Sequence, residues 1–142
     1  MKLSARNQLK GTVSQVNKGA VNSEVHVAFS GEKESIVAII TNESVTRLGL
    51  KNGARAIALI KASDVMIGKG LENARISARN LLAGKVSKVT QGAVNSEVLL
   101  TLGGGVELVA IITKASAEHL GLKTGDTVSA IVKASHVILG AE

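Results

Sequence analysis

The 142 residues carry 17 Lys and Arg against 11 Asp and Glu, a formal charge of +6, with 45% hydrophobic and 20% charged residues. That apolar share argues against a disordered chain, and the charge favours anionic partners. The absence of cysteine excludes disulfides and thiolate metal sites and suits a reducing compartment. No stretch is long and apolar enough to cross a membrane, and MKLSARNQLKG lacks a signal core, so a cytoplasmic protein with no membrane partner is expected.

In chain order, Ser4 to Asn7 reads as a short edge strand, and Gly11 to Lys18 as a half-buried strand. Val21 to Phe29 follows through Gly19, and Ser35 to Thr41 follows the turn SGEK. TNESVTRLGL changes period: Thr41 or Asn42 caps a helix of about two turns that Gly49 ends. The turn KNG leads into Ala54 to Ile60, and KASDVMIG closes the unit as a last short strand.

The chain then repeats itself. LSARNQLKGTVSQVNKGAVNSEV returns as ISARNLLAGKVSKVTQGAVNSEV, VAIIT at Val37 returns at Val109, and LIKASDVMIG returns as AIVKASHVILG. TKASAEHLGL supplies the second helix and KTG the second turn; GGG at Gly103 to Gly105 reads as a hairpin turn, since it lacks the helix and Lys-Ser/Thr of a phosphate loop. Two tandem copies are expected, residues 1–69 and 74–142, joined by the short polar linker KGLENA and therefore packed closely. The order of strands and helix predicts an all-β protein of two tandem OB-like five-stranded barrels, each with one short helix. Units this small commonly need a partner, so an oligomer is expected.

Catalysis is disfavoured. His26, His119 and His136 fall opposite Leu99, Arg47 and Asp64 in the other copy, and no paired-carboxylate, Ser-His-Asp or metal-ligand spacing emerges. What both copies keep is a set of hydrogen-bond donors with no matched acid among them. Ser4, Arg6 and Asn7 return as Ser77, Arg79 and Asn80; Thr41 and Ser44 as Thr113 and Ser116; Lys61 and Ser63 as Lys133 and Ser135. A pocket of donors suits an anion that brings no proton of its own. Singly, each motif has a plainer use, as a capped turn, a strand end or a helix cap.

These motifs in this order, SARN, GAVNSEV, VAIIT with a helix ending in LGL, then KAS with an apolar tail, resemble the molbindin or Mop-domain family of molybdate-binding proteins, in its di-domain cytoplasmic form. The resemblance implies OB-like barrels that bind molybdate or tungstate between domains, in a trimer of di-domain chains, for storage and homeostasis. It implies an oxyanion site of Ser4, Arg6, Thr41, Ser44, Lys61, Ala62 and Ser63, with the second set Ser77, Arg79, Thr113, Ser116, Lys133, Ala134 and Ser135. A further site near the symmetry axis is implied at Gly19, Ala20, Val21 and Asn22 and at Gly92, Ala93, Val94 and Asn95. The same segment also reads as a hairpin turn in which Asn satisfies local backbone groups.

Donor chemistry agrees: a tetrahedral dianion offers only acceptors, whereas hydrogen phosphate presents a proton that would find none. KAS is followed by Asp64 in one copy and His136 in the other, which predicts unequal affinity if these side chains face the anion. The alternative is a basic OB-fold nucleic-acid-binding protein, but Phe29 is the one aromatic residue, and single-strand binding leans on aromatic platforms. A regulator would need a helix-turn-helix segment, and SARN begins three residues after Met1, so none is expected.

Overall fold

The computed structural model describes residues 1–141. Strands β1 (Asn7–Lys18), β2 (Asn22–Phe29) and β3 (Glu34–Thr41) form a meander, followed by helix α1 (Asn42–Leu48), β4 (Arg55–Ile60), a 3-10 turn (Ala62–Asp64) and β5 (Met66–Gly68). The second copy gives β6 (Asn80–Gln91), β7 (Asn95–Leu102), β8 (Glu107–Thr113), α2 (Lys114–Leu120), β9 (Thr127–Val132), a 3-10 turn (Ala134–His136) and β10 (Ile138–Gly140). These make two antiparallel five-stranded sheets with one helix each, the expected tandem OB-like architecture.

The two sheets exchange their last strands. One runs β10-β4-β1-β2-β3 and the other β5-β9-β6-β7-β8, so the end of each copy completes the sheet of the other. KASDVMIG was expected to close its own copy as one strand; instead it turns through Ala62–Asp64, and only Met66–Gly68 pairs, with Ser129–Ile131 of β9. Leu139 of β10 sits opposite Ala58 of β4 and is buried. A three-residue strand carries too little side-chain pattern to choose between two nearly identical edges, so its partner is set by where the tight turn aims it. The linker belongs to this arrangement: Lys69 Nζ lies 2.8 Å from Asp126 Oδ2 and donates to Gly121 O at 3.3 Å.

Residues 4–6 are not a strand, contrary to expectation; β1 begins at Asn7 and runs unbroken through Lys18. Leu9 and Val13 face inward, yet Val16 does too, which strict alternation forbids. A β-bulge between Val13 and Gln15 inserts one residue and resets the phase, and Val86 to Lys88 repeats it. On β3, Ile36, Val37 and Ala38 are all buried, as are Leu108, Val109 and Ala110 on β8. Both faces of these segments are covered because the copies meet there. One apolar cluster, including Val13, Val27, Ile60, Val86, Leu100 and Val132, spans both copies.

The helices follow their signals closely. Thr41 caps α1 and accepts from Ser44 N, while Gly49 ends it at φ 63, the left-handed region in which a Cβ is costly. Thr113 and Gly121 do the same for α2.

Candidate functional site

The two SARN segments form the turns just before β1 and β6, and each sends its asparagine across to the other copy. Asn7 Nδ2 donates to Val109 O at 2.8 Å and Asn7 Oδ1 accepts from Val109 N at 2.7 Å; Asn80 makes the same pair with Val37 at 2.8 and 2.7 Å. Both asparagines are 2% exposed. Their amides extend the β3 and β8 edges as a peptide would, so they act as structural joints and leave the inventory of free donors. Together with the exchanged strands, these reciprocal contacts describe an approximate twofold relation between the copies.

With Asn7 fixed, Ser4, Ala5 and Arg6 are held beside the turn Lys61–Ala62–Ser63, and the six line a cavity of about 330 Å³ with Ile111 of β8 and Ile138 of β10. Ala62 is buried, which anchors the turn, while Lys61 and Ser63 stay exposed. Adjoining it through Ser63 and Ile111 is a second cavity of about 440 Å³, whose polar lining is Ser63, Asn95, Thr113 and Ser116. Copy one therefore contributes the SARN and KAS groups, and copy two contributes the helix-start hydroxyls and Asn95. The turn Ala134–His136 packs on β3 as Ala62–Asp64 packs on β8, which places Lys133, Ala134 and Ser135 on the side of Thr41 and Ser44.

Several of these donors are already engaged. Thr41 Oγ1 accepts from Ser44 N at 3.1 Å and donates to Ser44 Oγ at 2.9 Å; Thr113 and Ser116 repeat this at 3.0 and 2.8 Å. The threonines are thus helix caps, and the hydroxyl hydrogens left to give are those of Ser44 and Ser116.

The expectation of a donor set without a matched acid is corrected. Arg6 Nη1 and Nη2 donate to Glu97 at 3.0 and 3.1 Å, and Arg79 donates to Glu24 at 2.6 and 3.0 Å. These acids lie in the twin GAVNSEV segments. Their presence in both copies beside a repeated arginine was the available signal, but partners far apart in sequence cannot be matched without the topology. The arginine hydrogen bonds hold both carboxyls below their usual range; Glu24, which also lies 2.6 Å from His26 Nε2, is lowered to about 2.

Asp64 and His136 face each other across the approximate dyad, with Asp64 Oδ1 3.8 Å from His136 Nδ1, and Asp64 is not in the lining of the 330 Å³ cavity.

The GAVN segments are tight turns leading into β2 and β7: Gly19 N donates to Asn22 O at 2.9 Å and Gly92 N to Asn95 O at 2.8 Å. Val21 and Val94 stand 71% and 75% exposed at their tips. The turns are alike in sequence but not in setting. Asn42 bridges the first, accepting from Ser23 Oγ at 2.6 Å and donating to Gly19 O at 2.9 Å. Lys114 takes that place in copy two, and Ser96 Oγ is left buried without a partner among the described residues.

The TOBE domain model matches residues 3–67 and 76–139, nearly the whole chain in two blocks. The chain belongs to the TOBE-domain family. It is 48% identical over 139 residues to the molybdenum-pterin-binding protein MopA of Rhodobacter capsulatus, covering 98% of this chain and 52% of that protein. It is 42% identical over 142 residues to the molybdenum transport protein ModE of Herbaspirillum seropedicae, covering 100% of this chain and 52% of that one. The chain thus spans about half the length of the curated relatives it matches. In structure, this pair of TOBE units is similar to the cytoplasmic molybdate-binding protein ModG with molybdate bound, at TM-score 0.95 and 45% identity over 100% of both chains.

Proposed function

We propose that this protein binds molybdate or tungstate as the intact tetrahedral dianion, for intracellular storage and homeostasis and without catalysis. The observation that carries the reading is the convergence of Ser4, Arg6, Lys61 and Ser63 on one cavity, adjoined by Thr113 and Ser116 of the other copy. The hydroxyls of Ser4, Ser63 and Ser116, a guanidinium and an ammonium can donate, which an acceptor-only dianion satisfies, while Thr113 gives its hydrogen to Ser116 and holds that hydroxyl in place. The molybdate-bound ModG neighbour, matched over the full chain, supports the same ligand. Each sequence copy, 1–69 and 74–142, is one OB-like domain and each site draws on both, the second set being Ser77, Arg79, Lys133, Ala134 and Ser135 with Thr41 and Ser44.

The working assembly is a homotrimer of di-domain chains in the cytoplasm. Exposed apolar side chains at Val21, Val94, Met66 and Ile138 support burial against further copies. At the symmetry axis the turns Gly19–Asn22 and Gly92–Asn95 would meet their mates and form an additional anion site. Among the described residues, no helix is long and apolar enough to cross a membrane. Nucleic acid is not the favoured partner, because Phe29 is 3% exposed and offers no stacking surface.

Titration calorimetry with molybdate, tungstate, sulfate and phosphate tests the proposal, alongside Lys61→Ala with Lys133→Ala. Molybdate and tungstate should bind, phosphate should give no heat, and the double variant should lose most of the affinity. Molybdate heats that the double variant leaves intact would overturn this placement of the site.

A further inference from the structure

Arg6 lines the same cavity as Ser4, Lys61 and Ser63, yet both arms of its guanidinium are taken by Glu97. A carboxylate held by two parallel N–H···O bonds uses the same fork that a tetrahedral oxyanion would use. Glu97 stands at the rim, since it pairs with Ile111 in the β7–β8 ladder and Ile111 forms part of the cavity wall. Glu24 holds the equivalent place on Arg79, paired with Ile39 of β3. Both arginines are exposed and both carboxylates partly so, which lets the clamps open without unfolding anything.

We infer that Glu97 and Glu24 are built-in competitors for the site arginines, each occupying an arginine fork until an oxyanion displaces it, and so set affinity. This rests on the oxyanion reading above. An anion must displace a carboxylate already in place, which lowers the apparent affinity of every oxyanion by the same factor.

The two clamps are not equal. Glu24 Oε1 is shared with His26 Nε2 at 2.6 Å, whereas copy two has Leu99 at that position. His26 thus steadies Glu24 in the clamped pose, and the arginine contacts of Glu24, 2.6 and 3.0 Å, are shorter than those of Glu97, 3.0 and 3.1 Å. Release therefore costs more at Arg79, and the Arg6 sites bind the dianion more tightly than the Arg79 sites.

Titration calorimetry of the full chain with molybdate, then with sulfate, compares wild type, Glu97→Gln, Glu24→Gln and His26→Leu. Each Gln variant should tighten one class of site by up to about fivefold, the ceiling for an exposed ion pair, for molybdate and sulfate alike. His26→Leu should loosen the Glu24 clamp and tighten the Arg79 class towards the level of the other. Far-UV circular dichroism confirms the fold. If a Gln variant is unfolded, Glu97→Asp replaces it, since a side chain one methylene shorter keeps the charge but falls short of the fork, and it too should tighten binding. Folded Glu97 and Glu24 variants with unchanged or weaker affinity overturn the competitor role, while molybdate binding by wild type leaves the oxyanion reading standing. Equal affinities in wild type and His26→Leu overturn the inequality. A wild type that takes up no molybdate removes the oxyanion reading and this inference together.

Discussion

Replacing Asn7 by Ala probes the joint on which the site is built. The side chain satisfies both Val109 N–H and Val109 C=O, at 2.7 and 2.8 Å, and Val109 is 8% exposed. Truncation leaves two buried backbone groups without partners, each costing about 1–3 kcal/mol, so the loss is about 4 kcal/mol. With a urea slope of about 2 kcal/mol/M for a protein of this size, the midpoint should fall by about 2 M. Far-UV circular dichroism is the suitable probe, because the chain has no tryptophan or tyrosine. Protein concentration must be held fixed, since assembly contributes to apparent stability. Asn7→Asp, nearly the same in shape, should be worse than its size suggests: it keeps an acceptor for Val109 N–H but sets a second oxygen against Val109 O. A midpoint shift below about 0.5 M for Asn7→Ala would refute the reasoning that the amide stands in for a strand partner.

Three further outcomes are expected. Lys114→Asn should recreate in copy two the bridge that Asn42 makes between Ser23 and Gly19, giving Ser96 a partner; a gain of about 1 kcal/mol, or roughly 3 °C in Tm, is anticipated, and no gain would mean the orphan hydroxyl is already satisfied. Glu24, with a folded pKa of about 2 against about 4.3 unfolded, contributes stability above the unfolded value that is lost as pH falls from about 4.3 towards 2. Acid titration of Tm should therefore be flatter in that window for Glu24→Gln than for wild type, although Glu97 and Asp126, also lowered, keep some slope in both. Gly104→Ala should destabilise by about 1–2 kcal/mol, because φ is 76 there and the added Cβ would run into Ser30 Oγ, which donates to Gly103 O across the two copies; a neutral result by thermal melting contradicts that clasp.

Much of this molecule was legible in its sequence. The helix boundaries came from local chemistry, Thr41 and Gly49 acting as cap and stop within a few residues of each other, and the structure holds them as read. The doubled architecture came from the repeat itself. What escaped was whatever depended on which copy a short segment joins. Met66–Gly68 and Ile138–Gly140 have the same pattern as any closing strand, and their exchange is decided by the aim of the KAS turns. The same blindness hid the partners of SARN. Asn7 and Asn80 looked like free donors and are joints, and Arg6 and Arg79 looked unopposed and are clamped by carboxylates of the other copy. In the GGG stretch, conformational freedom at Gly104 was expected of a turn, but its small size against Ser30 comes from the facing copy.

The central claim, an oxyanion held by donors from both copies, is tested most directly by native mass spectrometry of the assembled protein with molybdate, sulfate or phosphate in turn. The account predicts molybdate adducts and no retained phosphate. A protein that retains no molybdate, or retains phosphate equally well, would contradict it.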